Sequence, residues 1–190
     1  MKNLYKYLML IAAVLLFLMY IFPLWSISLL APQYPEGLGL YINIGSIDGH
    51  KANDLQSING LNHYIGMKKI EPDSILELKI MPYIVAFFII MGFINFIYYK
   101  KWLVIGWIIT FTAAGFIGIY DFWLWEYDYG HNLNPHAIIK IPGMSYQPPL
   151  MGSEQLLNFT ATSFPHIGGV VIGLSILLAI TSLIARKKII

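Results

Sequence analysis

Histidine and methionine together are the residues here whose chemistry could reach beyond packing. Asn59, His63 and Met67 stand four apart in the stretch NDLQSINGLNHYIGMKK. On a helix they would share one face. Imidazole with thioether sulfur is a donor set suited to copper, since the soft sulfur favours Cu(I) and imidazole accepts both oxidation states. A second set lies far along the chain, in YDYGHNLNPHAIIKIPGM: His131, His136 and Met144. His166 follows Pro165, and Asp121, Glu126 and Asp128 could ligate directly or orient the imidazoles. No helix aligns His131 with His136, which are five apart with a proline between them. Taken singly, each residue fits a plainer role: a boundary histidine forms hydrogen bonds, and a methionine fills gaps. Taken together, they define a candidate polar site.

Other chemistries find less support. The chain has no cysteine, so it offers no disulfide, thiolate zinc site, iron–sulfur cluster or covalent haem attachment. No histidine lies mid-span, which argues against a buried haem and leaves one near the outer surface as an alternative. Gly-x-Ser-x-Gly, His-Glu-x-x-His, the phosphate-binding loop and the dinucleotide fingerprint are all missing. Asn158-Phe159-Thr160 matches a glycosylation sequon, a tripeptide that is frequent by chance. Phe122, Trp123, Trp125, Tyr127 and Tyr129 read as an interfacial aromatic belt. The functional alternative is a quinol pocket in which a histidine or Asp121 takes the proton.

The elements that must position these residues are apolar. Of 190 residues, 57% are hydrophobic and 12% charged, too few charges for an ordinary soluble domain. Four stretches reach the length of about 20 residues that a helical span needs: residues 4–30, 80–99, 102–125 and 165–185. The first is too long for a signal-peptide core, and Ser28-Leu29-Leu30-Ala31 is a poor cleavage site, so a retained anchor is expected. The predicted fold is an all-α membrane protein. It forms one domain over residues 1–190, with four transmembrane helices and a cap made of loops 31–79 and 126–164.

Basic residues orient it. Lys2 and Lys6, Lys100 and Lys101, and Arg186, Lys187 and Lys188 flank the spans on one side with no acid among them. The positive-inside rule puts that side, with both termini, in the cytoplasm. All ten acids and all five histidines then fall outside or at the outer boundary. These basic flanks call for no nucleic acid.

Within the first loop, Ala31 to Gly37 reads as a turn-rich exit. Leu38, Leu40, Ile42 and Ile44 alternate as a short strand, with Asp48-Gly49 as its closing turn. Leu55, Ile58, Leu61 and Ile65 predict a short helix. Glu71-Pro72-Asp73 opens another that continues into the second span. The second loop is expected to be irregular, with a short helix near Ser153 to Phe159. Its apolar residues want burial, so the two loops should pack as a cap. Gly169-x-x-x-Gly173 and Ala114-x-x-x-Gly118 offer small surfaces for helix contact. Asp121, near the outer end of the third span, should face protein or water.

The strings APQYPEGLGLYI, INGLNHYIGMK, YDYGHNLNPHAIIKIPGMSYQPP and LLNFTATSFP resemble those of a group of small bacterial four-helix integral membrane proteins. That group is associated with gene clusters for nitrous-oxide reductase maturation and copper handling. The resemblance covers the loops and span boundaries. It implies the bacterial inner membrane, periplasmic loops, and an accessory part in copper handling, cofactor assembly or electron delivery. Its motif positions here are Asn59, Asn62, His63, Met67, Asp128, His131, Asn134, His136 and Met144.

The expected function is therefore that of a non-enzymatic accessory membrane protein. Its cap would bind copper through His63, Met67, His131, His136 and Met144, supported by Asn59, Asp121, Asp128 and His166, or would dock a periplasmic copper protein. Two alternatives stand beside it: a redox component passing electrons from quinol to a periplasmic acceptor, and a scaffold for membrane assembly factors.

Overall fold

The computed structural model describes residues 3–187. Lys2 and Lys188, two of the flanking basic residues, lie outside that range. The helices are α1 (Leu4–Leu15), α2 (Asp54–Ile65), α3 (Leu76–Ile97), α4 (Lys101–His131) and α5 (Ile167–Lys187). The strands are β1 (Trp25–Ala31), β2 (Tyr34–Ile42), β3 (Ile47–Gly49), β4 (Gly152–Leu156) and β5 (Phe159–Pro165). All pair antiparallel in one sheet of order β3-β2-β1-β5-β4. The protein is thus mixed α/β, which corrects the all-α expectation.

The correction has two sources. The apolar stretch 4–30 is not one helix. A 3-10 turn over Leu16–Tyr20 extends α1, Pro23 follows, and the chain then enters β1. There Trp25, Ile27, Leu29 and Ala31 alternate with Ser26 and Ser28, a period of two attached to the end of a helical run. The helix expected near Ser153 to Phe159 is instead a β-hairpin. Leu156 pairs with Phe159 across a two-residue turn, Leu157-Asn158, with Leu157 at φ 57°. Thr160 and Thr162 suit the pleated surface of β5. Asp48-Gly49 belongs to β3 rather than to a turn.

Three helices, α3, α4 and α5, are long and apolar enough to cross a membrane; α1 with its 3-10 extension is a shorter apolar helix. That first segment is the centre of the bundle. Met9, Ala12, Ala13 and Leu16 are buried, and α1 packs on both α3 and α5. The approach to α3 is close: a Cβ on Gly92 would sit 2.5 Å from that of Ala13. On the facing side, Trp107 of α4 donates its indole N–H to the Phe88 carbonyl at 2.9 Å. Pro82 interrupts the α3 ladder, and the Tyr20 hydroxyl donates to its carbonyl.

The sheet stands on this bundle. Its central strand β1 continues from the α1 segment, and β5 leads into α5. Beneath one face a second core forms from Leu38, Leu40, Ile47, Ile58, Ile70 and Leu78, flanked by Trp125 and Tyr129 of α4. The helix expected to run unbroken from Glu71 into the second span is interrupted: a 3-10 turn at Pro72–Ser74 is followed by extended Ile75 before α3 begins.

Candidate functional site

The end of α2 and the segment after α4 form one rim of the cap. Gly66 ends α2 in the left-handed region, at φ 83°, as the usual glycine cap does. Its carbonyl accepts the Asn134 amide at 2.8 Å, and the Tyr64 carbonyl accepts the Ile139 amide at 2.9 Å. A Cβ on Gly66 would meet Ala137 Cβ at 2.8 Å, so this docking needs glycine on two counts. Asn134 Oδ1 accepts the His136 amide at 2.8 Å and closes the turn around Pro135. Lys68 forms an ion pair with Asp128, and the Tyr129 hydroxyl donates to the Lys69 carbonyl at 3.2 Å. The two outer segments therefore do meet.

His63, His131 and His136 are all exposed in these rim segments. His131 is the last residue of α4. Its ring stacks on Tyr127 with centroids 4.0 Å apart, and its Nδ1 lies 3.1 Å from the Tyr127 carbonyl oxygen. Met67 and Met144 are half-buried. Because α2 stops at Ile65, Met67 lies beyond it, and the shared face of Asn59, His63 and Met67 does not reach the third residue. Asn59 has turned its amide to the backbone: Nδ2 donates to the Ile70 carbonyl at 3.0 Å, and Oδ1 accepts the Ile70 amide at 2.7 Å. Asn62 Nδ2 donates to the Lys68 carbonyl at 3.3 Å. Asp128 is held by Lys68 and by Asn132.

Among the described residues, no three of the His, Asp and Glu side chains come together as a group that could hold a metal ion. No family model matches the chain, and no curated protein matches it.

His166 lies elsewhere, at the junction of β5 and α5. Its amide donates to the Leu24 carbonyl at 3.0 Å, and its Nδ1 is buried without a hydrogen-bond partner among the described residues. It belongs to a second imidazole cluster that sequence reasoning did not single out. The Tyr41 ring lies 4.1 Å from the ring of His50 and 5.3 Å from that of His166. His50 Nε2 is 3.0 Å from Ser26 Oγ. The imidazole lies over Gly39, where a Cβ would collide with it. Burial holds the His50 pKa below its usual value, against smaller raising effects from the Leu40 backbone and Asp54. Nearby, Asp54 is buried and its Oδ2 accepts the Gly39 amide at 3.0 Å and the Lys51 amide at 3.2 Å. A shallow cavity of about 130 Å³ adjoins them, lined by Ser28, Glu36, His50, Lys51 and Asp54.

Glu126 is the other residue whose environment the sequence hid. It is 1% exposed, and neither carboxyl oxygen has a partner among the described residues. It lies one turn before Gly130, whose Cα abuts the Gln147 backbone and whose carbonyl accepts the Tyr146 amide at 3.0 Å. The Tyr146 hydroxyl is likewise buried and unpartnered. The spacing Phe122, Glu126, Gly130 was the available signal, since it sets an acid between two residues on one helix face. Asp121, five residues earlier on α4, is half-buried.

Proposed function

We propose that the chain is a non-enzymatic accessory protein of a bacterial inner membrane whose periplasmic rim docks a copper-carrying partner. Copper is the partner's cargo in this reading and not a resident cofactor. One observation carries it: backbone hydrogen bonds from the Asn134 and Ile139 amides to the Gly66 and Tyr64 carbonyls join segments distant in sequence into a single edge presenting three exposed histidines. Exposed imidazoles on an ordered edge suit a contact that must form and release. A buried, fully coordinated site would instead retain the metal.

The orientation in this reading has both termini in the cytoplasm and the cap outside. It draws on Lys6, Lys100, Lys101 and Arg186 at one end of the bundle and the histidines at the other. A reporter fused after residue 190 should be active only in its cytoplasmic form; the opposite result removes the periplasmic cap.

The rim is tested by titrating Cu(I) against purified protein in the presence of a competing chelator. The wild type should draw Cu(I) from the chelator weakly. The combined His63→Ala, His131→Ala, His136→Ala variant should lose that competition at least tenfold. Equal competition by both proteins would remove the histidines from the reading.

A second reading, a quinol-linked redox component, is favoured by the unpartnered Glu126 carboxyl at the cap end of α4. A buried acid without a partner is suited to taking up a proton. Membranes containing the protein should then reduce an added acceptor in a quinol-dependent manner, and Glu126→Gln should slow it. Absence of that reduction in the wild type would discard the redox reading and leave the docking one intact.

A further inference from the structure

Arg186 stands in the last turn of α5 and forms no ion pair among the described residues. Its guanidinium is nevertheless held in place. Cζ lies 5.2 Å from the centroid of the Tyr99 ring, a cation–π contact. Nη1 is buried without a hydrogen-bond partner among the described residues. Tyr99 is fixed in turn. Its ring meets that of Tyr5 edge-on, with centroids 4.6 Å apart. Ser182 is fully buried and donates its one proton to the Tyr5 carbonyl at 2.6 Å. The Tyr99 hydroxyl must then be the donor to Ser182 Oγ, at 2.7 Å. α1, the turn between α3 and α4, and α5 thus share one polar knot. This arginine has given up much of its freedom before any ligand arrives, which favours tight binding. The residue as a whole is half-buried, so one edge of the planar group remains open to an acceptor.

Charge around the knot is unbalanced. α1 and α4 start at this end of the bundle and α3 and α5 finish there, so the helix dipoles largely cancel. The side chains therefore decide the sign. Lys6, Lys100, Lys101 and Arg186 are all cationic, while the acids of α3 and α4, Glu77, Asp121, Glu126 and Asp128, lie toward the opposite end. The height of the site identifies the anion that answers them. α5 has 21 residues, a length of about 31 Å, and a bilayer's hydrocarbon core is about 30 Å thick. With α5 across a bilayer, its last turn lies level with the headgroup phosphates.

We propose that Arg186, on its Tyr99 platform, binds the phosphate of an anionic phospholipid headgroup. The guanidinium fork takes two phosphate oxygens side by side. Lys100, next to Tyr99 in the chain, strengthens the local field. A zwitterionic lipid offers the same phosphate with a cation attached, which the four basic side chains repel. Free phosphate offers the same oxygens without acyl chains to hold it at that depth. The site rests on the helices crossing a bilayer and on neither the copper nor the quinol reading.

The full chain, purified in a neutral detergent, would be mixed with equal amounts of phosphatidylglycerol and phosphatidylcholine and examined by native mass spectrometry. The wild type should retain one phosphatidylglycerol at least fivefold more often than one phosphatidylcholine. Arg186→Gln should bring that ratio close to one. Arg186→Lys keeps the charge without the fork and should lower the ratio at least twofold; it also decides the matter if the glutamine variant aggregates. Lys101→Gln removes an exposed cation of the same end and should leave the ratio nearly unchanged. Excess inorganic phosphate should not displace the lipid. Equal retention of both lipids by the wild type, an unchanged ratio in either Arg186 variant, an equal fall in Lys101→Gln, or displacement by inorganic phosphate would each overturn the site.

Discussion

The bundle and the cap are held together by different physics. In the bundle the central helix is fitted by size: Ala12 and Ala13 are fully buried, Gly92 lies against Ala13, and Met9 and Leu16 fill what remains. Cross-helix hydrogen bonds are few there; the Ser182 hydroxyl, for example, donates to the Tyr5 carbonyl at 2.6 Å. In the cap the apolar core is small, and polar side chains secure the backbone. Asn59 closes on both groups of Ile70, Asp54 takes two amides, and Asn134 caps its own turn. Close packing cannot yield without moving whole helices. A polar clamp can fail locally, because water replaces its partners. The bundle should therefore break as a unit and the cap piece by piece.

The strongest test of that contrast is Gly92→Leu. Even the Cβ would sit 2.5 Å from Ala13 Cβ, so α1 and α3 must separate. The expected cost is about 3 kcal/mol, at the upper end for overpacking. It should appear as loss of the monodisperse peak on size-exclusion chromatography and as collapse of bundle and cap together. If the variant kept its wild-type Tm, the close approach of α1 to α3 would be wrong.

Asn59→Ala probes the other side. It leaves the Ile70 amide and carbonyl without their partner, and Ile70 is 5% exposed, so the cost is about 2 kcal/mol. Hydrogen exchange should speed up over residues 54–70 and stay slow in α3 and α5. Uniform acceleration through the bundle would mean that the two regions are one cooperative unit.

The same division explains what could be read in advance. The helices of the bundle and the alternation from Leu38 to Ile42 carry their periods openly, and α2 follows the spacing of Leu55, Ile58, Leu61 and Ile65. β1 was hidden because Ser26 and Ser28 are its only breaks in an apolar run that starts as a helix. β4 and β5 were hidden because their turn, Leu157-Asn158, lacks the usual glycine. The rim was half visible. His63, His131 and His136 are conspicuous as residue types, but the bonds that join their segments run from the Asn134 and Ile139 amides to the carbonyls of Gly66 and Tyr64, which no side-chain pattern encodes. Glu126 reads as one more interfacial acid, since no sequence pattern marks its carboxyl as buried without a partner among the described residues.

Leu157→Gly sharpens the comparison from the stabilising side. Leu157 holds φ 57°, a conformation costing a non-glycine residue about 1–2 kcal/mol. Glycine recovers that strain but adds unfolded-state entropy, for a net gain of about 0.5 kcal/mol. Amides of β4 and β5 should exchange more slowly in the variant, with the bundle unchanged. Faster exchange would show that the leucine side chain contributes more than its backbone strain costs.

The smallest effect is a pH dependence confined to the cap. His50 is the histidine whose surroundings oppose its charge: it is half-buried, and desolvation outweighs the raising influence of the Leu40 backbone and Asp54, with His166 and Lys51 adding to the lowering. Its pKa in the folded chain is thus below the ordinary 6.5. Between those two values the unfolded chain binds more protons than the folded one, so stability rises with pH across that window. Above pH 6.5 the contribution is complete, and below the folded pKa no more is lost. Exchange rates of the amides in β1, β2 and β3 should increase as the pH falls below 6.5, after correction for intrinsic exchange, and His50→Gln should flatten that change. The difference between the two profiles isolates His50. An identical slope in the variant would assign the acid sensitivity to other groups, and His50 would then be a neutral spacer between Ser26 and Tyr41.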